Sequence, residues 1–262
     1  MKNDVAIAPV IAAMLILAVV VTLFSIYNAT YLPGLKQSSE IQHLHEVEEG
    51  VLKFGSAIEE AASLKRNISL SQQIPLGGGD IVLNSLKSGG SLHVQQENEP
   101  YLTVYNNSLE VYSLTLINFS YWTVNNFWVD QGYTWQYGYV NVTRDPESGG
   151  TWLQHVTMDD VNKSIDSFGQ ALIIEYQDGP DITIEAVNFL AGEKSFTSGN
   201  GYGKLKLNAT RNKVTFKSED DCLIKLSVKD TVFSECLNEY NGRDYPDKNV
   251  TIILTNITVS TS

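Results

Sequence analysis

A chain of 262 residues with 18 Lys and Arg against 30 Asp and Glu has a net charge of −12 at pH 7 and a pI near 4.7. That balance repels polyphosphate, and no Lys/Arg cluster offsets it, which excludes nucleic acid as a partner. Charged residues are only 18% of the chain. Asn, Ser, Thr and Tyr are plentiful, which suits an extracellular β-protein better than a cytosolic enzyme. The length allows one large domain or two modest ones beyond a terminal helix.

The first predicted element is apolar. Val5–Ile26 reads VAIAPVIAAMLILAVVVTLFSI, without a charged residue. At about 1.5 Å per helical residue it is long enough to cross a hydrocarbon core of about 30 Å. Three readings fit it: a cleaved secretory signal, a permanent anchor, or a pilin-type helix that is cut ahead of its apolar part and then packs subunits into a filament. The signal reading fits least well. Signal cores run about 7–15 apolar residues, whereas this run is longer, its leader carries only Lys2, and a second helical pattern follows.

Tyr27–Lys36 contains Pro33 and Gly34, so a kink is expected near 33–34. Helical patterning then resumes. Leu44, Val47, Val51, Phe54, Ile58 and Ala61 form a stripe of period about 3.5, with Glu46, Glu48, Glu49, Glu59 and Glu60 off it. One long kinked helix is therefore predicted from about Ala6 to Leu64, lipophilic in its first half and in need of a packing surface in its second. His43 and His45 stand two apart and face different directions. His45 and Glu49 have i, i+4 spacing but read as a solvated face.

The pattern changes near Arg66, and Pro75 with Gly77–Gly79 marks a turn-rich boundary. Strand patterns then recur at Asp80–Leu83, Ser91–Gln95, Tyr101–Tyr105, Ser108–Asn118, Gly138–Thr143, Ala171–Gln177, Asp181–Phe189, Lys204–Ala209, Lys213–Lys217, Asp221–Lys229 and Val250–Ser260. A short helix near Met158–Phe168, capped by Thr157, is expected among them. Strands and helices do not alternate regularly, which argues against a parallel doubly wound sheet. The predicted class is α+β: a long kinked N-terminal α-helix followed by a mainly antiparallel, β-sandwich-like head, as one sandwich or two stacked subdomains. The boundaries are 1–6 for a short leader, 7–65 for the helix and 66–262 for an extracellular β-rich head.

Within the head, Phe119, Tyr121, Phe127, Tyr133, Trp135, Tyr137 and Tyr139 share odd parity, so extended strands would place them on one face. That face reads as sheet core. Trp122 and Trp128 then point the other way, as a surface for sugars or a partner. Cys222 and Cys236 flank an alternating segment and are expected to face each other across a hairpin as a disulfide. Sequons N-x-S/T occur at Asn28, Asn67, Asn106, Asn118, Asn141, Asn162, Asn208, Asn249 and Asn256. These are nine of 20 Asn in a chain with 41 Ser and Thr, where chance predicts about three. The excess points to a secreted glycoprotein. Nucleophile elbows, H-E-x-x-H, P-loops and EF-hand loops are absent. Two cysteines without C-x-x-C spacing or nearby histidines make a poor zinc site.

With these residues in view, Asp4–Leu17 (DVAIAPVIAAMLIL) resembles the N-terminal segment of archaeal type IV pilin-like proteins, on Ile7, Ala8, Pro9, Val10, Ile11 and Ala12. The Leu32-Pro33 break and the acidic second helix add a likeness to pilin-like surface proteins of methanogenic archaea. Ala6 stands where glycine is commoner, and Ile11 where bacterial pilins carry glutamate, a residue archaeal members commonly lack. The resemblance implies cleavage by a prepilin peptidase between Ala6 and Ile7. It also implies self-association through Ile11, Leu15, Val19, Leu23 and Phe24 in a filament core, a membrane stage before assembly, assembly machinery as partner, and a cell-surface location. No catalytic residue, metal or cofactor beyond N-linked glycans is implied. The alternative is a permanently membrane-anchored surface glycoprotein whose β head binds or adheres. A surface hydrolase would need converging carboxylates or histidines that the sequence does not reveal.

Overall fold

The computed structural model describes residues 4–77, 88–124, 130–144, 151–152, 157–217, 223–229, 232–233 and 235–262, without the side chains of 4–8, 151 and 152. Two helices run end to end, α1 (Asp4–Ile26) and α2 (Leu32–Leu64), joined by a π turn at Tyr27–Tyr31. The break expected near Pro33 takes this form. Proline lacks an N–H, and its ring crowds the carbonyl four residues back. A wider turn just before it relieves the clash, and the Leu32 N–H bonds to Tyr27 O, five residues back. The helix thus passes the proline without ending. It ends at Lys65, whose left-handed φ of 44° redirects the chain while its N–H caps Ala61 O at 3.1 Å.

Fifteen strands follow among the described residues. In chain order they are β1 (Ile68–Pro75), β2 (Gly89–Gln96), β3 (Leu102–Asn106), β4 (Leu109–Leu114), β5 (Ile117–Val124), β6 (Gln131–Gln136), β7 (Tyr139–Arg144), β8 (Thr151–Trp152), β9 (Ile173–Asp178), β10 (Asp181–Ala191), β11 (Phe196–Gly199), β12 (Tyr202–Phe216), β13 (Ile224–Val228), β14 (Asp244–Tyr245) and β15 (Asn249–Thr261). Helix α3 (Met158–Leu172) lies between β8 and β9. The predicted cap of α3 is present: Thr157 Oγ1 accepts from Asp160 N at 3.2 Å and donates to Asp160 Oδ2 at 2.6 Å.

The fold is α+β. Among the described residues the head has three sheets, in orders β1-β12-β15-β10-β9, β11-β2-β5-β6-β7-β8 and β14-β13-β3-β4. Every strand pairing among the described residues is antiparallel except that of β10 with β15. Segments read separately at Lys204–Ala209 and Lys213–Lys217 are one strand, β12, held along most of its length by β15. Ser108–Asn118 instead divides into β4 and β5, which belong to different sheets. Strand β1, read only as boundary, is paired throughout with β12. The predicted strand at Asp80–Leu83 lies outside the described residues.

Residues of the five- and six-stranded sheets and of α2 share one buried core. Leu44, Val47, Val51, Phe54, Ile58 and Ala61 are all buried, so the predicted stripe is the packing face. Its glycines set the distance. A Cβ on Gly50 would lie 2.6 Å from Ile74 Cδ1, and one on Gly55 would lie 2.5 Å from Trp135 Cδ1. Rings then link the layers: Phe54 meets Phe119 edge-on at 5.2 Å, Phe119 stacks on Trp135 at 5.6 Å, and Trp135 meets Phe168 of α3 edge-on at 5.5 Å.

The disulfide is not formed. Cys236 is a free, half-buried thiol, and Cys222 lies outside the described residues. The expected hairpin is absent because β13 pairs with β3 on one side and β14 on the other. Cys236 instead sits beneath α3, with its Sγ 2.4 Å from where a Cβ on Gly169 would be, and its thiol donates to Phe233 O at 3.3 Å. Burial, ahead of the nearby Asp166, pushes that thiol above its ordinary pKa.

Gly55→Val is expected to lower stability by about 1–3 kcal/mol by overpacking against Trp135. Urea denaturation followed by tryptophan fluorescence checks this. An unchanged midpoint would mean that α2 can lift from the sheet without cost.

Candidate functional site

The most conspicuous surface is α1. Its helical run continues as Pro9–Leu64 and is long and apolar enough to cross a membrane. Ile11, Leu15, Val19, Leu23 and Phe24 are each more than half exposed, as are Val10, Met14 and Leu17 on other sides of the helix. The helix has no polar face, so one-sided packing on a water-soluble surface would not satisfy it. Thr22 and Ser25 return their hydroxyls to the carbonyls of Ala18 and Val21, at 2.7 and 2.8 Å, which masks those groups from an apolar surrounding. The backbone at Ala6 and Ile7 belongs to the first turns of α1.

A helix of this kind acts on the rest of the molecule only if its base is held. Polar tethers also hold α2. His43, buried at 6% exposure, lies 3.0 Å from Tyr121 Oη through Nε2, and Tyr121 donates to Leu76 O at 3.1 Å. Tyr133 donates to Leu44 O at 3.2 Å. Lys65, exposed by only 2%, donates from Nζ to Ala171 O at 2.6 Å, where α3 has carbonyls left over by its own ladder. Burial draws Lys65 down to about 8, with Glu185 pulling it up and Arg211 pushing it down. Burial also lowers His43, and Glu46 and Glu40 oppose that shift. His45 is exposed, and Glu49 pairs with Lys53 at 2.6 Å.

The second surface is the outer face of the six-stranded sheet. Phe119, Tyr121, Tyr133 and Trp135 are buried inward, while Tyr137 and Tyr139 are half-buried. Trp122 is half-buried on the other face. It lies 4.6 Å from the His93 ring, which lies 4.7 Å from Phe196. Phe196 itself is half exposed. Trp128 and Phe127 lie outside the described residues. The rings of His93 and Phe196 were invisible as partners of Trp122 from sequence, because β2 and β11 are far apart along the chain.

A cleft of about 380 Å³ between α2 and α3 is lined by Glu59, Ser63, Lys163, Ser164 and Ser167 among others. Burial raises Glu59, opposed by the indole of Trp135. Lys163 is largely exposed and leans toward Asp160 at 3.8 Å. A single carboxyl with a solvated lysine is not an acid–base pair. Among the described residues no group of three or more His, Cys, Asp and Glu is placed to hold a metal ion.

The sequons are unequal. Asn28, Asn67, Asn162 and Asn208 are exposed, and Asn106, Asn118, Asn249 and Asn256 are half-buried. Asn249 Nδ2 is engaged with Asp181 Oδ1 at 2.8 Å. Asn141 is buried, at 6% exposure.

The His43 tether makes a pH prediction. Its folded pKa lies below the ordinary value of 6.5, so on acidification the unfolded chain takes up this proton first. Its contribution is present above pH 6.5 and is lost as pH falls through the folded value. Thermal denaturation between pH 7 and 5 should fall less steeply for His43→Gln than for the parent chain, and parallel profiles would exclude the effect.

Compared with protein-family models, curated proteins and solved structures, the chain gave no match.

Proposed function

We propose that the chain is a pilin-like structural subunit of an archaeal cell-surface filament. The observation that carries this reading is a helix exposed on all sides and apolar throughout, continuous with a second helix locked into a β head. In the first stage α1 anchors the subunit in the cytoplasmic membrane. After a prepilin peptidase cuts between Ala6 and Ile7, assembly machinery moves α1 from lipid into a bundle of equivalent helices. Lipid tails and neighbouring apolar helices are comparable solvents for Leu, Val and Ile, so the exchange is driven by packing. Ala12, Ala13 and Ala18 let helix backbones approach closely. The acidic, glycosylated head forms the shell and keeps the exterior soluble. The role is structural, not enzymatic.

The second reading is a surface glycoprotein anchored permanently by α1, with a binding head. The partly exposed ring group of Trp122, His93 and Phe196 favours it.

Mass spectrometry of the native N-terminus, with electron microscopy of the surface fraction, tests the proposal. A chain beginning at Ile7 in fibres is expected; an intact Met1 on isolated subunits in lipid would overturn it. Glycopeptide mapping tests the shell separately. Asn67, Asn162 and Asn208 should carry glycans and Asn141 none, since a glycan there would force open the face that buries it.

A further inference from the structure

Three neighbouring strands, β11, β2 and β5, put one set of side chains on the outer face. Phe196 pairs with His93 and Ser198 with Ser91; Ser91 pairs with Trp122 and Gly89 with Val124. Successive strand residues alternate faces, so these residues share one side. Beside the rings lies an open cleft of about 470 Å³, within the range of small-ligand sites. Its lining includes Ser91, Val124, Phe196, Ser198 and Asn200, over a floor of Gly89 and Gly90. Trp122, His93 and Phe196 make a continuous ring surface at the rim, with centroid separations of 4.6 and 4.7 Å. Ser91 Oγ sits 3.1 Å from His93 Nε2, and burial holds that imidazole below its usual range, so the ring adds no charge at neutral pH.

Among the described residues no charged side chain lines this cleft, although the chain as a whole carries −12. A phosphate or carboxylate ligand would find no cation among those residues. A purely apolar ligand would strip water from the exposed Ser198 and Asn200 without replacing its hydrogen bonds. A groove on the five-stranded sheet differs: Tyr176 stands there among Asp178, Asp181, Lys213 and Lys217. Rings beside uncharged hydroxyl and amide groups match a ligand with apolar C–H faces and hydroxyl edges. We infer that the Trp122–His93–Phe196 face and its cleft bind a neutral saccharide. Phe196, Ser198 and Gly199 of β11, the edge strand of its sheet, line the cleft, which gives a chain of sugar units an approach over the sheet edge. The saccharide has two sources. One is an external glycan. The other is a glycan on Asn118, which shares this face of β5 four residues before Trp122, about 13 Å away along an extended strand. The inference stands whether or not the chain assembles into fibres.

The test is isothermal titration of the full-length chain, and of its Asn118→Gln variant, with maltohexaose, cellohexaose and chitohexaose. Hexagalacturonate serves as the charged control. Binding of at least one neutral hexasaccharide in preference to the control is expected. Phe196→Ala should weaken it by about 3- to 10-fold, the loss of one ring contact. Trp122→Ala should weaken it at least as much; if that variant fails to fold, the half-exposed edge residue Phe196 carries the test alone. Binding by both parent and Asn118→Gln assigns an external ligand, and binding by Asn118→Gln alone assigns the protein's own glycan. No heat with any neutral probe in either chain, equal affinity for hexagalacturonate, or undiminished binding by Phe196→Ala would overturn the inference.

Discussion

Everything in this molecule depends on one stripe of α2 lying against the inner faces of the head. Leu44, Val47, Val51, Phe54, Ile58 and Ala61 are removed from water there, each large side chain worth about 1.5–3 kcal/mol as an upper estimate. Glycine at 50 and 55 brings the helix axis close enough for Ile74 and Trp135 to touch it. That contact also seats the base from which α1 continues. Helix nucleation is the costly step and propagation is cheap. α2, held by packing, is a permanent nucleus from which α1 extends through the π turn. A flexible linker at the same place would uncouple the head from the apolar segment.

The polar contacts refine this seat without creating it. His43, Lys65 and the hydroxyls of Tyr121 and Tyr133 bond across the same junction. Each is buried, so each carries a desolvation cost that its hydrogen bond offsets. Their net effect falls on geometry more than on stability. They fix the rotation of α2 about its own axis and the position of α3 against its end. A lysine drawn down to about 8 is tolerable because Glu185 and the last carbonyls of α3 supply negative potential.

The helical half was legible in the sequence because it obeys local rules. The 3.5-residue spacing named the buried stripe, Pro33 named the break, and Thr157 named a cap. Even there the π turn was not legible, since proline dictates relief of a clash but not its form. The head was legible in class and less so in topology. Alternation marks a strand but carries no information about its partner. Thus β4 and β5, adjacent in sequence, joined different sheets, and β1, patterned too weakly to read, pairs throughout with β12. The disulfide expectation failed for the same reason. It assumed that β13 would pair with the segment following it, whereas β3, more than a hundred residues earlier, had taken that edge. The buried His43 was missed because its partner Tyr121 lies 78 residues away along the chain.

Parity along β5 joins the two surfaces into one constraint. Phe119 and Tyr121 point to the core, so Ser120 and Trp122 must point outward. On β2, Leu92 and Val94 point inward, which turns Ser91 and His93 to the same outer side as Trp122. The outer ring group therefore owes its register to the packing beneath it. Slipping β5 by one residue would bury Trp122 and expose Tyr121, losing the tether to His43 in the same move. Seating α2 selects the register, and the register selects which side chains remain outside. The apolar helix and the outer aromatic face, far apart in chemistry, are thus fixed by the same layer of buried rings.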